Sequence, residues 1–109
     1  MLNQGASILR VFHALADPTR LAMFERLVRG PASVSELARP LPMSLPAVLQ
    51  HLAVLEADGL VHSEKVGRVR TCRIEPAALE TAGDWVAERR ALCERSLDRL
   101  GEYLADGRD

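Results

Sequence analysis

The sequence contains few of the residues that build metal centres and disulfide frameworks. Among its 109 residues there are two cysteines, Cys72 and Cys93, there is no Cys-x-x-Cys pair, and no histidine follows His62. This spacing excludes a structural zinc site built from four neighbouring ligands. In a cytosolic chain it predicts two reduced and mostly packed thiols. We therefore expect neither a metal nor a cofactor.

Membrane-spanning and secretory segments are also missing. No apolar run approaches the ~20 residues that a membrane span needs, and the N-terminus lacks both a charged lead and a cleavage site. These absences predict a cytoplasmic protein without membrane contact. The length of 109 residues predicts one domain, residues 1–109, whose modest core favours a dimer. No nucleophile–base pair, paired carboxylate site or phosphate-binding glycine loop stands out, so we expect no enzymatic activity.

Lysine is nearly absent, and the charges are unevenly distributed. Of the 14 basic residues all but Lys65 are arginine, and the formal net charge is −1. Residues 39–74 carry five basic and three acidic groups, whereas residues 75–109 carry five and nine. Arginine is suited to bidentate contacts with phosphate and guanine. In the net charge, the acidic tail therefore offsets a basic central segment, which is a candidate for nucleic-acid contact.

Residues 33–60 have the start and stop signals of two short helices joined by a tight turn. Ser33 and Glu36 have the spacing of a capping box, and two prolines end the first helix. Ser44 is a second N-cap, and the longer helix that follows ends at Gly59. The inward positions of this helix are Val48, Leu52 and Leu55. Its outer face is small and mildly polar, which is typical of a helix-turn-helix that reads DNA.

An antiparallel hairpin is predicted directly after this motif. Alternation indicates strands over residues 60–66 and 69–74 around a Gly67-Arg68 turn. In the second strand, Cys72 and Ile74 share the face that we expect to be buried. Basic residues near the tip are Lys65, Arg68 and Arg70. Such a hairpin after a helix-turn-helix is typical of a wing that reaches phosphates or a minor groove.

Helices are predicted at both ends of the chain. Apolar spacing indicates a first helix over residues 7–16, and Asp17 caps a second helix that ends at Gly30. Pro76 opens a last helix whose apolar stripe, between residues 80 and 104, is wider than a small core can cover. This surplus favours a seam between two copies, and packing inside one monomer is the alternative. The expected fold is mainly α: a winged helix-turn-helix with about five helices and a two-stranded antiparallel wing.

The order of these motifs resembles a known family. The runs VFHALADPTRLAMFERL, SVSELARPLPMSLPAVLQHLAVLEADGLV and GRVRTCRIEP are similar to the ArsR family of small bacterial winged-helix repressors, over roughly residues 8–104. The resemblance implies a homodimer that is held by its first and last helices and places two recognition helices in successive major grooves. It also implies a repressor of its own promoter that leaves DNA when an inducer binds.

Two departures from the family's metal sensors predict a metal-independent protein. The segment over residues 36–40 has neither the thiol nor the imidazole that metal-sensing relatives carry there, and the last helix lacks histidine. The inducer is therefore expected to be a small molecule of unidentified chemistry, if the protein has one. Leu49 also departs from the family, because relatives of this subtype commonly carry serine at that position, and Cys93 stands where similar proteins often have an aromatic residue.

Two sets of site residues follow. The expected contacts to double-stranded DNA are Ser33, Ser35, Ser44, Leu45, Ala47, Leu49, Gln50, Lys65, Arg68 and Arg70. The expected dimer interface contains Ile8, Val11, Phe12, Trp85, Cys93, Leu97, Leu100 and Leu104. We expect His51 to bond within the domain rather than to act as a ligand. Two alternatives remain: a thiol-redox or electrophile-sensing repressor that uses Cys93, and a winged helix that contacts only protein.

Overall fold

The computed structural model describes residues 4–106, with side chains from Ser7 onward. Within this range the chain forms five helices and three strands. Their bounds are α1 (Gln4–Leu15), α2 (Pro18–Val28), β1 (Ala32–Ser33), α3 (Val34–Ala38), α4 (Leu45–Ala57), β2 (Val61–Val66), β3 (Val69–Ile74) and α5 (Pro76–Asp106). The helix-turn-helix is α3 and α4, and the predicted hairpin is β2 and β3.

The sheet has three strands, so the prediction of two was wrong. Ala32 and Ser33 pair antiparallel with Cys72 and Thr71 of β3, which gives the strand order β1-β3-β2. A two-residue strand has no side-chain alternation to reveal it. Its pairing depends on backbone hydrogen bonds to a strand that is distant in the chain.

Each of the three predicted N-caps is confirmed. Asp17 accepts bonds of 2.9 and 3.0 Å from N–H groups in the first turn of α2, and the one from Arg20 contributes most to lowering the pKa of its carboxyl. The Ser33 hydroxyl accepts from the Glu36 N–H at 3.1 Å, and Glu36 Oε1 accepts from the Ser33 N–H at 2.8 Å. The latter bond lowers the pKa of the Glu36 carboxyl. The Ser44 hydroxyl accepts from a first-turn N–H of α4 at 3.3 Å.

The core lies between α1, α2, α4 and the inner face of the sheet. The largest fully buried side chains are Met23, Leu27, Leu37, Val48, Leu52, Leu55, Leu60 and Cys72. The three predicted inward positions of α4 are among them, which confirms the orientation of that helix. Cys72 is buried as expected, and this burial raises the pKa of its thiol. Ile74 is half-buried on the same face.

Only the first part of α5 packs on this core. Ala78 is buried, and Phe12 of α1 packs edge-on against the half-buried Trp85, with ring centroids 5.4 Å apart. The Arg89 guanidinium lies 4.6 Å from the centroid of the same indole. From residue 86 to residue 106 every side chain is exposed. The helix therefore projects beyond the core. Among residues 4–106, no helix combines the length and apolarity that crossing a membrane requires.

Candidate nucleic-acid interface

The outer face of α4 presents a small surface of mixed polarity. Leu45 is 52% exposed and Gln50 is also exposed, so both side chains are accessible to a ligand outside the helix. Ala47 is half-buried. Leu49 is half-buried and packs against the core, which leaves only part of this predicted contact accessible. Of the predicted contacts on this helix, Leu45 and Gln50 are therefore the most accessible.

The three predicted serines lie at the starts of the two motif helices. Ser33 and Ser44 accept backbone N–H groups, as described above, and so their oxygens hold the helix ends in place. A hydroxyl that accepts one bond retains its own O–H donor. Ser35 is exposed on α3. All three hydroxyls can therefore donate a hydrogen bond to an anionic oxygen.

The tip of the hairpin carries two exposed cations. Gly67 has φ +64°, the left-handed conformation that a tight two-residue hairpin turn requires. Lys65 and Arg68 lie on either side of it, and both are exposed. Among residues 4–106 neither side chain has a hydrogen-bond or ion-pair partner. The positive charge at the tip is therefore not neutralised within the chain.

Arg70 does not lie with this tip, although we expected it there. Its Nη2 is 2.8 Å from Glu56 Oε2, and its Nε donates to Ser63 Oγ at 2.9 Å. The Ser63 hydroxyl in turn donates to Glu56 Oε1. Arg70 therefore faces the last turn of α4. Glu56 and Ser63 were absent from the predicted site, although Arg70 shares its strand parity with the buried Cys72, which indicates an inward direction.

A second polar network joins α1, α2 and α4. Arg20 donates from Nε to the Ala14 carbonyl at 2.7 Å, and its Nη1 lies 3.4 Å from His51 Nδ1. His51 Nδ1 is also 3.7 Å from Asp17 Oδ2. These contacts support the intradomain role that we expected for His51. Closer to the end of α4, His13 Nδ1 is 2.5 Å from Asp58 Oδ2.

The predicted interface residues divide into two groups. Ile8 and Val11 are 4% and 6% exposed, because α1 packs them into the core of the single chain. They therefore have almost no surface left for a second copy, and their assignment to an interface is corrected to the core. The accessible members of the set are Phe12, Cys93, Leu97, Leu100 and Leu104. Trp85 is half-buried against Phe12 and the core.

The cysteines and acidic side chains do not assemble a metal site in the part of the chain that the structure describes. No group of three or more His, Cys, Asp or Glu residues between residues 4 and 106 is arranged to hold a metal ion. The two thiols also differ: Cys72 is buried in β3, whereas Cys93 is exposed on α5. The prediction of two packed thiols was therefore wrong for Cys93 in the single chain.

Comparisons with known proteins agree with this architecture. A protein-family model described as a helix-turn-helix domain matches residues 15–64. The chain is 50% identical over 70 residues to the HTH-type transcriptional regulator Rv2034 of Mycobacterium tuberculosis, a match that covers 64% of this chain and 65% of that protein. The chain spans between about half and two thirds of the length of the curated relatives that it matches.

Solved structures match over more of the chain. The crystal structure of an ArsR family transcriptional regulator is 46% identical, with a TM-score of 0.78, and the match covers 86% of this chain and 97% of that one. The homodimeric winged helix-turn-helix DNA-binding domain of Mb0332 from Mycobacterium bovis, solved by NMR, is 30% identical with a TM-score of 0.62. That match covers 79% of this chain and 82% of the other.

Proposed function

This chain belongs to the ArsR family of transcriptional regulators, and on that premise we propose that it is a repressor that binds double-stranded operator DNA as a homodimer. The observation that carries the proposal is the combination of an accessible outer face on α4 with an exposed cation at the hairpin tip. An α-helix fits the major groove of B-DNA. A hairpin that follows the recognition helix can contact the phosphates beside the same groove.

The chemistry of the α4 surface suits base edges. The Gln50 amide can pair with N6 and N7 of adenine, and an apolar side chain such as Leu45 can contact a thymine methyl group. The start of α4 adds the positive end of the helix dipole, which favours a phosphate. Ser35 and the two capping serines add hydroxyl donors. Base reading is thus assigned to α4, and phosphate contact to the helix starts and the hairpin tip.

The dimer in this proposal forms through α5, with help from the exposed part of α1. Exposed apolar residues recur along one side of α5, among them Val86, Leu92, Leu97 and Leu100, which are 47–60% exposed. Leu9 and Phe12 of α1 are exposed as well. A two-fold seam between such faces buries the same surface on both subunits. It also holds two α4 helices at the fixed separation that successive major grooves require.

The proposed repressor acts without a metal and regulates its own promoter. Metal independence is supported by residues 36–40, which contain neither the thiol nor the imidazole that metal-sensing relatives carry there, and by α5, which contains no histidine. A small-molecule inducer, if there is one, then binds by other chemistry. Autoregulation follows the usual arrangement of the family and is tested by protection of the DNA upstream of the protein's own gene.

Salt dependence of operator affinity tests DNA binding and the role of the hairpin tip. If each subunit makes about three or four charge contacts, the slope of log K against log salt is about −5 to −7 for the dimer. Arg68→Ala is expected to flatten it by about 1 per subunit. Arg95→Ala, which removes an exposed arginine of α5, is the matched control and is expected to leave the slope unchanged. A wild-type slope near zero would contradict the proposal.

A further inference from the structure

Three side chains connect the recognition helix to the hairpin. Glu56, in the last turn of α4, holds both Arg70 Nη2, at 2.8 Å, and the hydroxyl of Ser63. Ser63 Oγ also accepts from Arg70 Nε at 2.9 Å. The cluster is therefore closed: each member contacts the other two. The side chains of Arg70 and Glu56 are 40% and 26% exposed, so the ion pair is partly shielded from water.

The register of the hairpin explains why Arg70 needs this partner. Arg70 is paired directly across the ladder from Lys65, and both strands present these positions to the same face. Two like charges directly opposite each other are destabilising. Glu56 supplies the compensating negative charge from α4.

Another arginine of the same strand shows the contrast. Arg73 pairs with Glu64 of β2 at 3.3 Å, and both of these side chains are 52% exposed. That ion pair joins two strands that are already hydrogen-bonded to each other. The Glu56–Arg70 pair instead joins two separate elements, α4 and the hairpin.

We propose that Glu56, Ser63 and Arg70 form a strut that sets the angle between the hairpin and α4, and that Arg70 is a positioning residue rather than a phosphate contact. The inference rests on the proposed DNA-binding function and extends it. A guanidinium that is already neutralised by Glu56 displaces no counterion from DNA. If the Arg70 guanidinium moved to a phosphate, the Glu56 carboxylate would lose its ion-pair partner beside the negatively charged DNA backbone.

A double-mutant cycle on operator affinity tests the strut. Arg70→Gln and Glu56→Gln are each expected to weaken binding by about fivefold to tenfold, the range of a partly exposed charged hydrogen bond. The double variant is expected to be no weaker than either single variant, because both remove the same link. The slope of log K against log salt stays at the wild-type value in all three. Arg73→Gln, from the same strand, is the matched control and is expected to change affinity less than twofold.

Three results with the Arg70 and Glu56 variants would overturn the proposal. A slope that is flatter by about 1 per subunit in Arg70→Gln would make Arg70 a phosphate contact. Tighter binding by Glu56→Gln would show that Glu56 withholds Arg70 from DNA. Additive losses in the double variant would show that the two residues act separately. Ser63→Ala, which changes no charge, provides a second variant: it is expected to weaken binding with an unchanged slope, and wild-type affinity would contradict the strut.

A measurement without DNA separates the strut from the proposed function. In the free full-length protein, the Nε–Hε NMR resonance of Arg70 is expected to be shifted from the exposed arginines and to return to their range in Glu56→Gln. A resonance that is unaffected by that substitution would contradict the strut itself. Absence of operator binding by the wild-type protein would contradict the proposed function instead.

Discussion

Replacement of Leu100 by glutamate is expected to separate the proposed dimer into folded monomers. Leu100 lies on the apolar side of α5 and is 51% exposed in the single chain. Leu97, one turn earlier on the same side, is 60% exposed. Neither residue belongs to the core or to the DNA-facing surface. The substitution therefore leaves the core and the DNA-facing surface intact. Any loss of operator binding then results from the loss of the second subunit.

The magnitude follows from the exposure of the side chain. Full burial of a leucine contributes about 1.5–3 kcal/mol, so burying the exposed half of Leu100 contributes about 1 kcal/mol per subunit and about 2 kcal/mol per dimer. A carboxylate in the same seam adds a desolvation cost of at least about 1 kcal/mol per subunit. The sum, about 4 kcal/mol, corresponds to an increase of about a thousandfold in the dimer dissociation constant.

Sedimentation velocity and an operator gel shift on the same samples measure the effect. Ala91→Glu is the matched control, because Ala91 is exposed and lies about two and a half turns earlier, on the opposite side of α5. It is expected to stay dimeric and to bind as the wild type does. Circular dichroism checks that Leu100→Glu is folded. A folded Leu100→Glu protein that remains dimeric would place the seam elsewhere, and a monomer with wild-type affinity would refute the dimeric mechanism.

Two further outcomes are expected. Zinc, cadmium and arsenite at micromolar concentration should leave the operator complex intact in a gel-shift titration; release that Cys72→Ser or Cys93→Ser abolishes would contradict metal independence. The carboxyl pKa values of Asp17 and Glu36 are lowered in the folded chain. Their ionised forms therefore stabilise the fold above the ordinary carboxyl pKa, and this stability is lost as pH falls through the lowered pKa values. Urea unfolding between about pH 7 and pH 3 should therefore show a smaller acid-induced loss in Glu36→Gln than in the wild type, and an equal loss would refute the capping contribution.

Much of the fold could be predicted because its signals are local. The caps at Asp17, Ser33 and Ser44 each bond to N–H groups two or three residues ahead, so a short stretch of sequence contains both partners. The inward face of α4 follows from spacing along a single helix. The Gly67-Arg68 turn likewise defines the register of the two strands beside it, as the pairing of Val66 with Val69 shows.

What escaped prediction depends on segments that are far apart in the chain. β1 exists because Ala32 and Ser33 meet β3, and the direction of Arg70 is decided by Glu56, which belongs to another element. Ile8 and Val11 had the same apolar character as residues of a dimer seam, but packing put them in the core.

The sequence by itself determined the five helices, the hairpin, their order and the three caps. The tertiary structure alone decided which charges pair and which apolar faces remain accessible. The physical reason is that helix periodicity and capping act within a few residues, whereas burial and ion pairing depend on which elements meet in space.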